Sequence, residues 1–352
     1  MTAATVDSTL PITGRETHPV AVWASVGAAF LALQVYIYTA WVLSDKFTPT
    51  PTGDSPLSDF GYWFIQIGQV AFAILAVYMV YWMIKTCRRE GRAPTSVLFC
   101  LAFLMTYWQD PLANYYRLYF IYTSHFFNFG SWCELIPGWI MPRGSRFPEP
   151  LLFGLGSYIG LIPLTSFVIC AAMRKAKARW PQTGTLGLML SAFVVAMAID
   201  LVLEIMWVRT GLYQIPGAIR SLSLWGGMPY QLPLYEVVFW GALIYTPAAS
   251  LLYFKDDKGN TVVERGIENF RGSTTTAVMR CLALAGFLNA FYLLFNMIMW
   301  FISFQIDPVP SGMPSHILNG ICGEGTPYEC PGPDVHVPLP DSGPLPPFSG
   351  RN

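Results

Sequence analysis

Charge is scarce in this sequence. Only 12% of its 352 residues are Asp, Glu, Lys or Arg, about half the roughly 25% usual in soluble domains. Formal net charge is zero at pH 7, so there is no basic face for nucleic acid, and a nucleic-acid partner is excluded. Histidine is equally rare. His18, His125, His316 and His336 are the only four, too few for a histidine-rich di-iron centre or for paired haem ligands within a membrane. The last apolar block holds no lysine, which rules out a retinal Schiff base there. There is no P-loop, and GLGSYIG (154–160) has the wrong spacing for a dinucleotide fingerprint and lies inside an apolar block.

What the chain has instead is apolar length. Hydrophobic residues make up 53% of it, with a mean hydropathy of +0.43, gathered into blocks of about 20 residues or more, enough to span roughly 30 Å of hydrocarbon. The expected fold is all-α: a polytopic transmembrane helix bundle of about seven spans, at 20–43, 60–84, 95–109, 151–173, 185–208, 232–254 and 277–303. The first block, Val20 to Leu43, is too long for a secretory signal and lacks a small-residue cleavage site, so it reads as a retained helix.

Lys and Arg in short loops set the orientation. KTCRREGR, RKAKAR and the 255–272 loop each carry four basic residues and alternate with longer, less basic stretches. The basic loops are therefore expected in the cytoplasm, in a multi-pass protein of the cytoplasmic membrane. Residues 1–19 form a cytoplasmic segment, 20–305 the membrane domain, and 306–352 a Pro/Gly-rich extracytoplasmic tail expected to be disordered. Cys322 and Cys330 in that tail are either a disulfide or two free thiols. Cys100, Cys170 and Cys281 fall within spans and read as small apolar side chains.

Charge inside a span is costly and rarely faces lipid. Asp200 and Glu204 lie four residues apart in the fifth span and share a helix face. Glu236 is about one turn into the sixth. Asp110 ends the third, in YWQDPLANYYRLYFIYTSHFFNFGSW (107–132). With alternating span directions all four fall in the outer half of the bundle, so they are expected to line one cavity. Carboxyl groups crowded in a low dielectric cannot all ionise. One that keeps its proton can act as donor, and an ionised partner as base, which makes Asp200, Glu204, Asp110 and Glu236 the candidate catalytic residues. Each such role is worth about 10²–10⁴-fold in rate. Hard cations also take oxygen ligands, but no duplicated acidic motif marks a metal site, and neither metal nor other cofactor is expected.

Plainer readings stand beside this one. A buried acid can simply bond a neighbouring helix. Asp110 before Pro111 has the form of a helix N-cap. Asn114 and Arg117 continue one face of the helix that DPLAN would start, where Arg117 either pairs with Asp110 or snorkels to headgroups. His125, Asn128, Ser131 and Glu134 reach the outer interface, and an interfacial histidine is more often a satisfied polar residue than a catalyst. Glu149 in RFPEP starts the fourth span. Gly156 and Gly160 form a GxxxG, a sign of close helix packing.

The ordered blocks WQDPLANYYRLYFIY…NFGSW, PEP opening a span, and DLVLE…TGLY…P resemble the AveC-like spirocyclase family of actinobacterial membrane proteins, over about residues 20–305. The resemblance implies a hydrophobic, polyketide-like or lipid substrate and a spiroketal-forming cyclase or dehydratase. The matching blocks contain Asp110, Asn114, Asn128, Ser131, Trp132, Glu149, Asp200, Glu204 and Tyr213. Of these, Asn114, Asn128, Trp132 and Tyr213, with Arg117, are expected to contact substrate. Glu236 lies outside the blocks. The competing classes are a terpenoid or carotenoid cyclase or hydratase using the same acids on an alkene, and a non-catalytic lipid-binding or transport protein. Oligomeric state has no signature in the sequence.

Overall fold

The computed structural model describes residues 18–337. In chain order the helices are α1 (Pro19–Val42), α2 (Asp59–Glu90), α3 (Thr95–Leu104), α4 (Leu151–Gly156), α5 (Ile162–Arg179), α6 (Thr185–Thr210), α7 (Leu234–Trp240), α8 (Thr246–Tyr253), α9 (Ser273–Ser303) and the short α10 (Ser315–Leu318). Two strand pairs of two residues each, β1 (Ile121–Tyr122) with β2 (Tyr213–Gln214) and β3 (Ser223–Leu224) with β4 (Leu232–Pro233), are the extended structure between them. Among the described residues, six helical stretches are long and apolar enough to cross a membrane. The protein is an all-α, multi-pass membrane bundle.

Two of those stretches widen in the middle. α4 runs through a π-helical turn, Ser157–Leu161, into α5, and α7 through a second one, Gly241–Tyr245, into α8. A proline follows each, Pro163 and Pro247. Proline lacks an amide hydrogen and crowds the carbonyl four residues back, and a wider turn before it accommodates both constraints.

The expected third span is not one long helix. α3 is ten residues, and Tyr107–Asn114 continues it as a 3₁₀ helix containing Pro111. The pair still traverses the bundle alongside α9, from Leu98 near Cys281 at one end to Leu112 beneath Trp300 at the other. Asn289 Nδ2 donates to the Met105 carbonyl, Asn296 Nδ2 to that of Gln109 (3.3 Å each), and Trp300 Nε1 to that of Leu112 at 2.6 Å. Irregular backbone survives at membrane depth only where protein supplies such partners.

α1 and α9 meet over Gly27 and Gly286, where an added Cβ would run into the Leu282 and Trp23 carbonyls respectively. Gly156 and Gly160 likewise face Phe72 and Leu75 of α2.

The end of the bundle where α1 and α9 finish carries a folded cap rather than loose loops. Thr123 N–H donates to the Leu212 carbonyl, Gly217 to Tyr119, Asp307 to Ala218 and Ser124 to His316. The expected disordered tail is ordered as far as it is described: Ile306, Ile317 and Ile321 are fully buried, and Cys322 and Cys330 form a disulfide. Its backbone is satisfied by Arg117, Arg146 and Ser55, which a Pro/Gly-rich composition does not reveal. The remainder of the expected tail, 338–352, and residues 1–17 of the N-terminal segment lie outside the described residues.

Candidate active site

The buried stripe of α6 is every fourth residue: Leu188, Ala192, Ala196, Asp200, Glu204, Val208. Apolar side chains, small at Ala192 and Ala196, pack its first half, and two acids occupy the same stripe further along the helix. Val194 and Val202, on the other side of the helix, are exposed. The helix therefore turns its acids inward by the same periodicity that packs it. α7 begins after Pro233 and brings in Glu236 from its first turn.

The three carboxyls converge. One oxygen from each of Asp200, Glu204 and Glu236 lies within 4.8 Å of the others, and all three residues are buried. At that spacing each ionised pair would repel by about 3–4 kcal/mol at an effective dielectric of about 20, so the three do not all ionise together without a cation. No hydrogen bond from a described residue reaches any of them, and Asp200 Oδ2, Glu204 Oε2 and Glu236 Oε2 are buried without a partner. No ion pair touches them either; the four among the described residues lie elsewhere. A spacing this short would also suit a hard divalent cation.

The triad borders a cavity of about 90 Å³. Asp110 lies on the same wall, so the structure brings all four candidate acids to one cavity. The rest of the lining is aromatic and aliphatic, including Tyr213, Trp207, Trp240 and Phe295, with no Lys or Arg. Both π-helical turns contribute to it, through Tyr158 and Tyr245.

Asp110 is held by phenols. Its Oδ1 accepts from the Tyr158 hydroxyl at 2.6 Å and, more weakly, from that of Tyr122 at 3.5 Å. The Tyr158 oxygen is 2.6 Å from that of Tyr292 on α9, which completes a chain Tyr292–Tyr158–Asp110. This corrects the N-cap reading: Pro111 sits inside the 3₁₀ helix, and the Asp110 side chain points across the bundle rather than back onto its own amides. Glu149 is the neighbour that sequence reasoning treated only as a span start. It is 2% exposed, accepts from Ser131 Oγ at 3.4 Å, neighbours Asp110, and is not part of the cavity lining. Burial, and then Asp110 beside it, hold the Glu149 carboxyl well above the usual carboxylate range.

Of the residues expected to contact substrate, only Tyr213 lines the cavity. Asn114 is a turn former, its Oδ1 accepting from the Tyr119 and Phe120 amides at 2.8 and 2.9 Å. Arg117 is not a counter-ion to Asp110; it donates to the Gly332 and Val335 carbonyls of the tail and stacks on Phe304. Asn128 ties down its loop through the Thr50 and Gly130 amides. Trp132 is fully buried, donates to the Trp108 carbonyl at 2.8 Å and packs on Tyr38, Trp41 and Tyr107. All four do structural work in the cap, which polar residues on an irregular backbone are well suited to do.

His125 and His316 also meet in the cap, edge to face at 5.0 Å between ring centres. Burial and then the facing His125 push the His316 imidazole down to about 4.

A family model described as spirocyclase AveC-like matches residues 88–316. The match starts later than the resemblance in the sequence, at the end of α2, and runs on into α10. It contains every acid on the cavity wall, together with Glu149, Tyr158 and Tyr292. No curated protein and no solved structure matches the chain. By the matched span, well over half its length, the chain belongs to the AveC-like spirocyclase family.

Proposed function

We propose that this protein is a membrane-embedded, cofactor-independent cyclase or dehydratase of the spiroketal-forming type. It closes oxygen rings on a hydrophobic substrate by carboxyl acid–base chemistry in the cavity. Membership of the family supports cyclase-type chemistry. The observation that carries the rest is four buried carboxyl groups, from three separate parts of the fold, on an aromatic cavity without a basic side chain.

The balance of the reaction suits such a site. One substrate hydroxyl adds to a ketone and gives a hemiketal. A protonated carboxyl then gives its proton to the hemiketal oxygen, the C–O bond breaks and water leaves. The oxocarbenium ion that remains is stabilised by the ionised carboxylate nearby. A second hydroxyl attacks that carbon, and a carboxylate takes its proton. One water is lost overall, no electron changes hands, and the proton spent at the donor is regained at the base. Asp110, fixed by Tyr158, is the donor in this reading. The triad, with its oxygens free of protein donors, is the base and cation-stabilising wall. Tyr292, hydrogen-bonded to Tyr158, lines the same cavity as the triad.

The test is a metabolite comparison between a deletion strain and its parent, complemented with the parent chain and with Asp200→Asn or Glu204→Gln. The reading expects a compound one water heavier than the product to accumulate in the deletion strain and in both variants, at unchanged membrane levels of protein. Full complementation by both variants would refute it. A chelator is expected to leave turnover in isolated membranes unchanged. Loss restored by Mg²⁺ or Mn²⁺ would instead hand the triad to a metal ion.

A further inference from the structure

Glu149 stands outside the reaction as described above, yet it is among the most deeply buried acids in the protein. Between Pro148 and Pro150 it has little backbone freedom, and its amide is bonded to the Gly130 and Phe147 carbonyls at 3.4 and 3.1 Å. The next residue, Pro150, accepts from the Tyr107 hydroxyl at 3.3 Å, which seats Glu149 beside the 3₁₀ turn that carries Asp110. Oε1 accepts from Ser131, while Oε2 and Asp110 Oδ2 are both buried without a donor from any described residue. Two neighbouring carboxyl oxygens that lack a protein donor satisfy one another only if one carries a hydrogen.

We propose that Glu149 is a positioning residue that shares a single proton with Asp110, so that the pair, rather than Asp110 alone, sets the protonation state of the acid on the cavity wall. This rests on the acid–base reading of the cavity. The pair carries one negative charge and one proton. The phenols of Tyr158 and Tyr122 donate to Asp110 Oδ1, and the proton lies between Asp110 Oδ2 and Glu149. When Asp110 gives its proton to a departing oxygen, the pair is left with two negative charges, which the phenol hydrogen bonds and the oxocarbenium ion formed in the same step offset. Return of the proton restores the pair. The other titratable groups facing it are Tyr38 from α1, Tyr107 beside Asp110, Tyr292 from α9 and Cys133 near Ser131. None of these is a cation that would let both carboxyls ionise. The raised affinity of Glu149 for its proton agrees with this arrangement.

The test needs no substrate. Infrared difference spectra of the full chain in lipid nanodiscs, recorded across pH, report protonated carboxyls directly. The proposal expects a protonated-carboxyl band at neutral pH in the parent that Glu149→Gln and Asp110→Asn each remove, because a shared proton needs both partners. If Glu149→Gln leaves the Asp110-dependent band in place, the proposal fails. Glu149→Asp, which keeps the acid but shortens its reach, serves where the glutamine variant does not accumulate. It is expected to replace the shared band by two carboxyls titrating separately, and an unmoved band overturns the proposal.

Turnover gives the second readout. Without a second acid beside it, Asp110 ionises more readily, so the alkaline limb of the rate profile moves to lower pH by about a unit or more in Glu149→Gln. A residue that only held the cap together would lower the rate and leave the limb where it was. Failure of the cavity reading looks different: the band would behave as expected while Asp200→Asn and Glu204→Gln still made product.

Discussion

The two acid groups on the cavity wall are held in opposite ways. Asp110 sits on irregular backbone and is surrounded by partners: Tyr158 at 2.6 Å, Tyr292 behind it and Glu149 alongside. Asp200, Glu204 and Glu236 sit on regular helices and receive no hydrogen bond from any described residue. A carboxyl fixed by its own protein is oriented before a ligand arrives. A bare one leaves its lone pairs to water or to the hydroxyls of a ligand, since a buried oxygen without a partner costs about 1–3 kcal/mol. Under the proposed mechanism, the well-held acid suits proton donation and the bare ones suit contact with whatever enters.

That comparison breaks first at the triad. Glu204→Gln and Asp200→Asn are nearly isosteric and bring an amide donor into a set that has none, so each is expected to lower product formation by about 10²-fold or more. Mass spectrometry of extracts, normalised to protein in the membrane, reads the loss. A tenfold or smaller effect from both would mean that the bare group is packing and not chemistry. At Asp110 the phenols offer a finer cut. Removing the 2.6 Å partner by Tyr158→Phe takes away a hydrogen bond to a charged group, worth about 1.5–3 kcal/mol, and is expected to slow turnover by about 10- to 100-fold. Tyr122→Phe removes a 3.5 Å contact and is expected to cost less than about threefold, since such a length is barely a hydrogen bond. Equal effects would show that aromatic shape, not the bonded hydrogen, is what Asp110 needs.

The same division explains what the sequence made legible. The triad could be read because regular helices have a period: Asp200 and Glu204 extend a stripe begun by Ala192 and Ala196, and alternating span directions put Glu236 at their depth. Asp110 was found by topology, but its partners were not. Tyr158 and Tyr292 are ordinary aromatic residues in apolar spans, and nothing local distinguishes them from the many others. Glu149 was visible as the acid of PEP but not as a neighbour of Asp110, because 38 residues of aperiodic chain separate them. Asn289 and Asn296, which hold the broken third crossing, lie seven apart on one stripe of α9, and that spacing could have flagged them. Asn114, Asn128 and Trp132 were placed near the site by their neighbourhood in sequence, whereas the 3₁₀ turn after Leu104 sends them into the cap.

Arg117 separates the well-held acid from its surroundings with the smallest expected effect. As a counter-ion it would keep Asp110 charged, and Arg117→Gln would alter turnover as much as a change at Asp110 itself. In the structure its guanidinium instead spans the Gly332 and Val335 carbonyls at 3.0 and 2.6 Å and lies 5.6 Å from the Phe304 ring. Glutamine keeps one donor but loses the fork and the stacking. The expected outcome is turnover within about twofold of the parent, with the segment around the Cys322–Cys330 disulfide cut faster by added protease. Protection that stays while turnover falls would return Arg117 to the cavity and leave Asp110 ionised. The proton it is asked to share with Glu149 would then have no place.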